Sequence, residues 1–459
     1  MVFSSLPFLF LLLPVTLFVH SVLPFRFKNI FLLLINLVFY GYGEPVYNLL
    51  MLASVAINYG AGLLMEKCSA GWKKGLLVLA VIVNLSALGW YKYAVLLTQT
   101  LRLIPFMRWL PEVSVALPIG ISFYTFQAMS YVIDVYRRDC DATTSFVDFA
   151  AYISLFPQLI AGPIVRYSDV ALQLKSRSCD AIQFSIGVRL FVIGLAKKVL
   201  LANQFALLWE AVQADPAASG TLAAWMGIMA YTLQIYFDFG GYSDMARGLG
   251  AMLGFDFCIN FNYPYLSKSV TEFWRRWHIS LSTWFRDYVY FPLGGSRKGS
   301  ARTAINLMIV WMLTGFWHGA GWNFLFWGFY YGVLLLIEKF LLQKNLERIP
   351  GCLRWLGTML LVMIGWVFFA SENLTAAWNY LSVMFWFRAG VDTVSLIGWL
   401  PMLIGGVLAA TPVGSKLWKR WDGTIFASCA ELVLCLAALL VCTASIVSGS
   451  YNPFLYFRF

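Results

Sequence analysis

Long stretches without a charged side chain recur from one end of this chain to the other, and they constrain its fold more than any other feature. Residues 8–23, 75–91, 355–370 and 432–447 each approach the ~20 residues that a helix needs to cross a hydrocarbon core. Charged residues make up only 12% of the 459, against about one quarter in a soluble domain. Mean hydropathy is +0.73. The chain reads as an all-α, polytopic integral membrane protein with about eleven to thirteen membrane-embedded helical segments, re-entrant ones included. The first run lacks a preceding basic residue and a clear small-residue cleavage site, so it reads as a retained helix with His20 at an interface.

The formal net charge of +11 fits cytoplasmic loops better than nucleic acid. Arg26 and Lys28, then Lys67, Lys73 and Lys74, mark two inside connections. The alternation falters after Arg137 and Arg138, because Arg166, Lys175 and Arg177 follow an apolar segment interrupted by Pro157 and Gly162-Pro163. A segment that enters and leaves on one side explains this, provided its non-helical backbone is buried in protein or faces a watery cavity. Eight cysteines without a CxxC pair argue against a metal site or a disulfide framework. With no tandem repeat and no linker, residues 1–459 read as one domain, and 266–303 as an amphipathic, basic cytoplasmic segment within it. Further basic connections hold Lys339, Lys344, Arg348 and Arg354, and then Lys416, Lys419 and Arg420.

Three stretches could carry chemistry. Placed on one helix, residues 271–288 gather Trp274, Trp277, His278, Leu281, Phe285 and Tyr288 on one side, with Glu272, Arg275, Arg276, Thr283, Arg286 and Asp287 opposite. An interfacial helix explains the tryptophans and arginines but not an imidazole on the oily face. His318 lies in TGFWHGAGWNFLFWG, sixteen residues past Arg302 and therefore roughly 24 Å along a helix. The charge-free run 306–337 is too long for one crossing, and Gly315, Gly319 and Gly321 are candidate bends. An ionisable group at such depth marks a functional site by default, although Gly315 and Gly319 also suit close helix packing with His318 bonded to a neighbour. A neutral imidazole there can take the proton of a hydroxyl that attacks a thioester. In QIYFDFGGYSDMARGLG, Asp238 and Asp244 are six apart and face different ways unless Gly240-Gly241 breaks the helix, and Asp244 can pair with Arg247. Both acids read as structural.

The motifs PIGISFYTFQAMSYVIDVYR (118–137), FPQLIAGPIVR (156–166), QIYFDFGGYSDMA (234–246), FNYPYLSKSVTEFWRRWHISLSTWFRDYVYFPLGG (261–295), LTGFWHGAGWNFLFWGFYYG (313–332) and the tail YNPFLYFRF (451–459) resemble the membrane-bound O-acyltransferase family. The resemblance is to its bacterial branch, which includes proteins of alginate O-acetylation and of teichoic acid D-alanylation, and the tail is more similar to the alginate side. It implies helices around a central tunnel, His318 as catalytic residue and His278 as its companion. It further implies a donor path on which Trp274, Arg275, Arg276, Trp277, Arg286, Trp317 and Asn323 are candidates, the three arginines forming a basic funnel. The implied function is transfer of acetyl from cytoplasmic acetyl-CoA, with no tightly bound cofactor and no metal, across the bacterial inner membrane toward an exported polysaccharide. Alginate comes first, with a periplasmic acyltransferase as partner. Cellulose or peptidoglycan acetylation and D-alanyl transfer are the alternatives within the family. Gly240 and Ala370 depart from the family pattern in ways that bear on substrate detail. A polymer or lipid transporter with a His/Asp proton relay is the alternative of another class, disfavoured by the lack of an internal repeat.

Overall fold

The computed structural model describes residues 1–342, 345–390, 396–421, 423–449 and 455. Of the tail 451–459 only Leu455 is therefore described, and Lys344 also lies outside the described residues. Helix dominates and no strand occurs among the described residues. Among the described residues five helices are long and apolar enough to cross a membrane: Tyr47–Lys67, Ala70–Arg102, Trp322–Leu342, Gly351–Ala370 and Ile425–Ser448. Many of the remaining helices are shorter or more polar, because turns and buried polar side chains interrupt them.

By internal contact the chain forms two compact units, 1–191 with 243–258, and 192–242 with 259–459. The first unit uses polar side chains as ties between apolar helices. The Asn58 and Asn84 amides exchange hydrogen bonds (Nδ2 to Oδ1 at 3.1 and 2.8 Å), joining Tyr47–Lys67 to Ala70–Arg102. Asn36 Oδ1 accepts the Phe156 N–H (3.1 Å) where the helix Phe146–Ser154 ends. Beyond it residues 155–165 are all buried, and apart from the single turn Phe156–Leu159 they are not helical. This is the buried, broken backbone expected around Pro157 and Gly162-Pro163. His20 is buried within the protein, its Nε2 lying 3.3 Å from Arg177 Nη2. Asp244 and Arg247 form the expected i,i+3 pair, at 3.7 Å.

The second unit holds Asp238, His278 and His318. Gly299–His318 and Trp322–Ile337 form an antiparallel hairpin whose turn is Gly319, Ala320 and Gly321, close to the expected bend. The helices touch through glycine: a Cβ on Gly315 would collide with the Phe324 carbonyl oxygen, and one on Gly328 with that of Trp311. The close packing anticipated for Gly315 is thus realised, with Gly328 as its opposite number. The helix Pro216–Met252 continues through Gly240-Gly241 without a break, so Asp238 and Asp244 point in different directions.

Candidate functional site

His318 is the last residue of the first hairpin helix and is 5% exposed. Chain reversal at three residues without bulky side chains is what leaves an imidazole at the C-terminal end of that helix. Three aromatic rings stand edge-on around it: Trp317, Trp327 and Phe369, with centroids 5.0, 5.0 and 5.2 Å away. Asn323, expected on the donor path, donates through Nδ2 to the Phe368 and Ser371 carbonyls (3.3 and 2.8 Å), tying down the helix end that carries Phe369. Beside the imidazole lies a cavity of about 10 Å³, lined also by Phe239, Trp277, Phe369 and Leu455. This is room for roughly one water. Among the described residues the space beside the ring is thus water-sized, smaller than an acyl donor or an acceptor.

His278 does not sit on a continuous amphipathic helix. The segment 271–288 divides into Val270–Arg276 and Ile279–Phe285, with His278 between them in the left-handed region (φ +44°). Tertiary bonds impose this break: the Asn262 N–H donates to the Arg276 carbonyl (2.9 Å) and the Ile279 N–H to the Asn260 carbonyl (3.0 Å). The expected segregation survives nonetheless. Trp274, Trp277, His278, Leu281, Phe285 and Tyr288 are buried, and their polar counterparts are partly or fully exposed.

Asn260 also sets the tautomer of His278. Its Oδ1 accepts the Ser280 N–H (3.2 Å) and hydroxyl (3.0 Å), which identifies that atom as the oxygen. His278 Nδ1, 3.1 Å from the same atom, must then be the protonated nitrogen. The lone pair is left on Nε2, which is buried and has no hydrogen-bond partner among the described residues. This ring lies outside the membrane-spanning helices, and burial lowers its pKa from 6.5 to about 3, so it is neutral. Trp317 lies near both histidines, its ring centroid 6.1 Å from His278 and 5.0 Å from His318.

The remaining candidates disperse. Trp277 lines the His318 cavity, while Trp274 packs edge-on against Trp311, Trp327 and Tyr331 at 4.6, 5.5 and 4.9 Å. The three arginines do not form one funnel. Arg276 is bound to Glu272 (2.9 Å) and Arg286 to its neighbour Asp287 (2.9 Å), and only Arg275 lines a second cavity, of about 540 Å³. Asp238 has a partner invisible in its own stretch: Lys198 Nζ at 2.6 Å, the two side chains being 4% and 3% exposed. The other carboxylate oxygen of Asp238 accepts the Leu455 N–H (2.9 Å), which brings Leu455 to the His318 cavity. Lys198, Asn260 and Phe369 are the site residues that sequence patterns miss. The only signal for any of them is a Lys-Lys pair, 197–198, in an otherwise apolar stretch. No cluster of metal-binding side chains occurs among the described residues.

Residues 139–344 match the profile of the membrane-bound O-acyltransferase family. A probable alginate O-acetylase of Azotobacter vinelandii is 40% identical over the whole of both chains. One of Pseudomonas aeruginosa is 45% identical, covering 84% of this chain and 75% of its own. A peptidoglycan O-acetyltransferase of Helicobacter pylori is 33% identical over 86% of this chain and 81% of its own. With a buried histidine at the turn of a helical hairpin, five apolar helices long enough to cross a membrane among the described residues, and relatives of this identity along its full length, the chain belongs to the membrane-bound O-acyltransferases and is a multi-pass membrane enzyme of acyl transfer.

Proposed function

We propose that this protein transfers acetyl from acetyl-CoA on the cytoplasmic side of the bacterial inner membrane toward an exported polysaccharide, alginate in the first place, by way of a periplasmic acyltransferase. The observation that carries the reading is the buried imidazole of His318 at the C-terminal end of its helix, beside a cavity of its own. Alginate ranks above peptidoglycan because the alginate O-acetylases are the more similar relatives, at 40–45% against 33% identity.

In the reaction His318 accepts the proton of the attacking hydroxyl as its oxygen bonds to the thioester carbonyl carbon. The C–S bond then breaks, and the thiolate leaves with that proton. His278, held neutral with its Nδ1–H on Asn260, presents the Nε2 lone pair and orients the donor arm. Trp277 and Phe369 form the dry wall that keeps water from competing with the acceptor. The test uses purified protein in vesicles with labelled acetyl-CoA. Release of CoA coupled to acetylation of added alginate or of its periplasmic acyltransferase supports the proposal. Movement of solute across the vesicle without acetyl transfer refutes it in favour of a transporter.

A further inference from the structure

A helix ordinarily satisfies its first orphan N–H groups with the side chain of its own N-cap, where Ser, Thr, Asp or Asn is preferred. The helix Ile279–Phe285 departs from this. Its N-cap is His278, whose side chain makes no capping bond, and Asn260 caps it from another segment. The Asn260 carbonyl accepts the Ile279 N–H (3.0 Å), and Asn260 Oδ1 accepts the Ser280 N–H (3.2 Å), the bond that an N-cap side chain would make. His278 also holds a left-handed backbone (φ +44°), where glycine would be unstrained. Neither the cap nor the backbone favours histidine at this position, and such local misfits gather at functional sites.

Capping from outside frees the imidazole and fixes its tautomer. Because Oδ1 is an acceptor, Nδ1 carries the hydrogen of their 3.1 Å contact and Nε2 carries the lone pair. Both side chains are buried, and His278 Nε2 and Asn260 Nδ2 have no hydrogen-bond partner among the described residues. Buried polar atoms are nearly always satisfied, so a bonded pair of side chains that leaves one acceptor and one donor open marks contact with a ligand. Aromatic rings surround the imidazole: Phe239, Phe261 and Trp317, with centroids 4.7, 6.4 and 6.1 Å away. Phe239 lines the His318 cavity as well, and Trp317 is 5.0 Å from His318, so a single ring separates the two histidines.

With its lone pair at Nε2 the His278 ring can neither donate to a thioester carbonyl nor protonate a departing thiolate. It only accepts. Both proton movements then fall to His318, which takes the hydroxyl proton as the O–C bond forms and returns it to sulfur as the C–S bond breaks.

We propose that Asn260 is a positioning residue of acyl transfer: it confines His278 to the Nδ1–H tautomer, so that His278 meets substrate as a hydrogen-bond acceptor only. The substrate group that it meets therefore carries an N–H or O–H. This rests on the reading of His318 as the proton acceptor in acetyl transfer.

The chain has only three histidines, so ¹⁵N-histidine NMR in nanodiscs can follow each ring. His20→Gln and His318→Gln assign the signals and leave His278 in place. The expected spectrum shows His278 as the neutral Nδ1–H form between about pH 8 and pH 5, a readout independent of turnover. An Nε2–H tautomer, or an imidazolium within that range, overturns the proposal. Kinetics compares wild type with Asn260→Asp, which keeps an acceptor oxygen for the His278 Nδ1–H and the Ser280 N–H but adds a charge that favours imidazolium. In this variant the His278 signal should become imidazolium at least about one pH unit higher than in wild type. Its kcat/KM for labelled acetyl-CoA should gain an acid limb at that same pH, since a protonated Nε2 no longer accepts. A purely structural role would lower kcat/KM by one factor at every pH, and a donor role for His278 would make the variant more active as pH falls. Either result overturns the proposal. Expected spectra from a wild type that leaves acetyl-CoA intact would refute the choice of donor and still support the tautomer.

Discussion

Removing the positive partner of Asp238 is a sharp test of how the site is held, since Asp238 also fixes the Leu455 backbone at the His318 cavity. Lys198 Nζ and the carboxylate are 2.6 Å apart and almost fully buried. At an effective dielectric of about 20 their attraction is about 6 kcal/mol, which desolvation of two ions largely cancels. The pair as a unit is therefore close to neutral. An orphaned buried charge instead costs about 3–5 kcal/mol. Lys198→Met should lose about that much stability, roughly two to three and a half orders of magnitude in the folding equilibrium. Adding Asp238→Asn removes the stranded charge, and its amide oxygen still accepts the Leu455 N–H. The double variant should thus return to within about 1–2 kcal/mol of wild type, a coupling within the range of contacting residues. Denaturant titration in detergent, followed by tryptophan fluorescence, measures all three. A single variant as stable as wild type, or a double variant no better than the single one, would show that the pair does not hold this corner.

The remaining predictions concern the histidine turn and the hairpin. Because burial lowers the His278 pKa from 6.5 to about 3, the unfolded chain binds a proton that the folded one refuses across that window. Stability should fall as pH drops below 6.5, by about 1 kcal/mol between pH 6.5 and 5.5 from this residue. His278→Gln should flatten that part of the profile, and an unchanged slope contradicts the assignment. Asn260→Ala removes the acceptor of two buried N–H groups, the His278 Nδ1–H and the Ser280 N–H, at about 1–3 kcal/mol each. It should cost at least about 2 kcal/mol, whereas Asn260→Asp keeps the acceptor and should retain most of the fold in the same titration. Gly328→Val drives a side chain into the Trp311 carbonyl oxygen and should lower stability by about 1–3 kcal/mol or more, measured as a Tm decrease. A neutral result would mean that the hairpin is not packed as described.

What the sequence reveals is what depends on nearest neighbours along the chain. Charge-free runs announce the membrane helices, and Gly319 and Gly321 announce the reversal that puts His318 at a helix end. The 3.6-residue pattern of 271–288 correctly separates buried from exposed side chains. It fails at Trp277-His278, where no glycine or proline warns of a break, because the bonds that enforce it come from Asn260 and Asn262. The basic funnel dissolves for a local reason: Arg276 has Glu272 one turn away and Arg286 has Asp287 beside it, so each is neutralised at short range. Conversely Asp238 looks solitary in its own stretch, and its lysine, 40 residues upstream, is found only by folding. Lys268 and Arg275 likewise meet Lys339 and Arg354 around the second cavity only in the tertiary structure.

The most direct measurement of whether His318 is the proton acceptor is the turnover of labelled acetyl-CoA by wild type, His318→Ala and His318→Gln in vesicles. It is normalised to folded protein by the same denaturant titration. Loss of a general base predicts a fall of about 10²–10⁴-fold in kcat for both variants with stability near wild type. Turnover within a few-fold of wild type in a folded His318→Ala protein would contradict it.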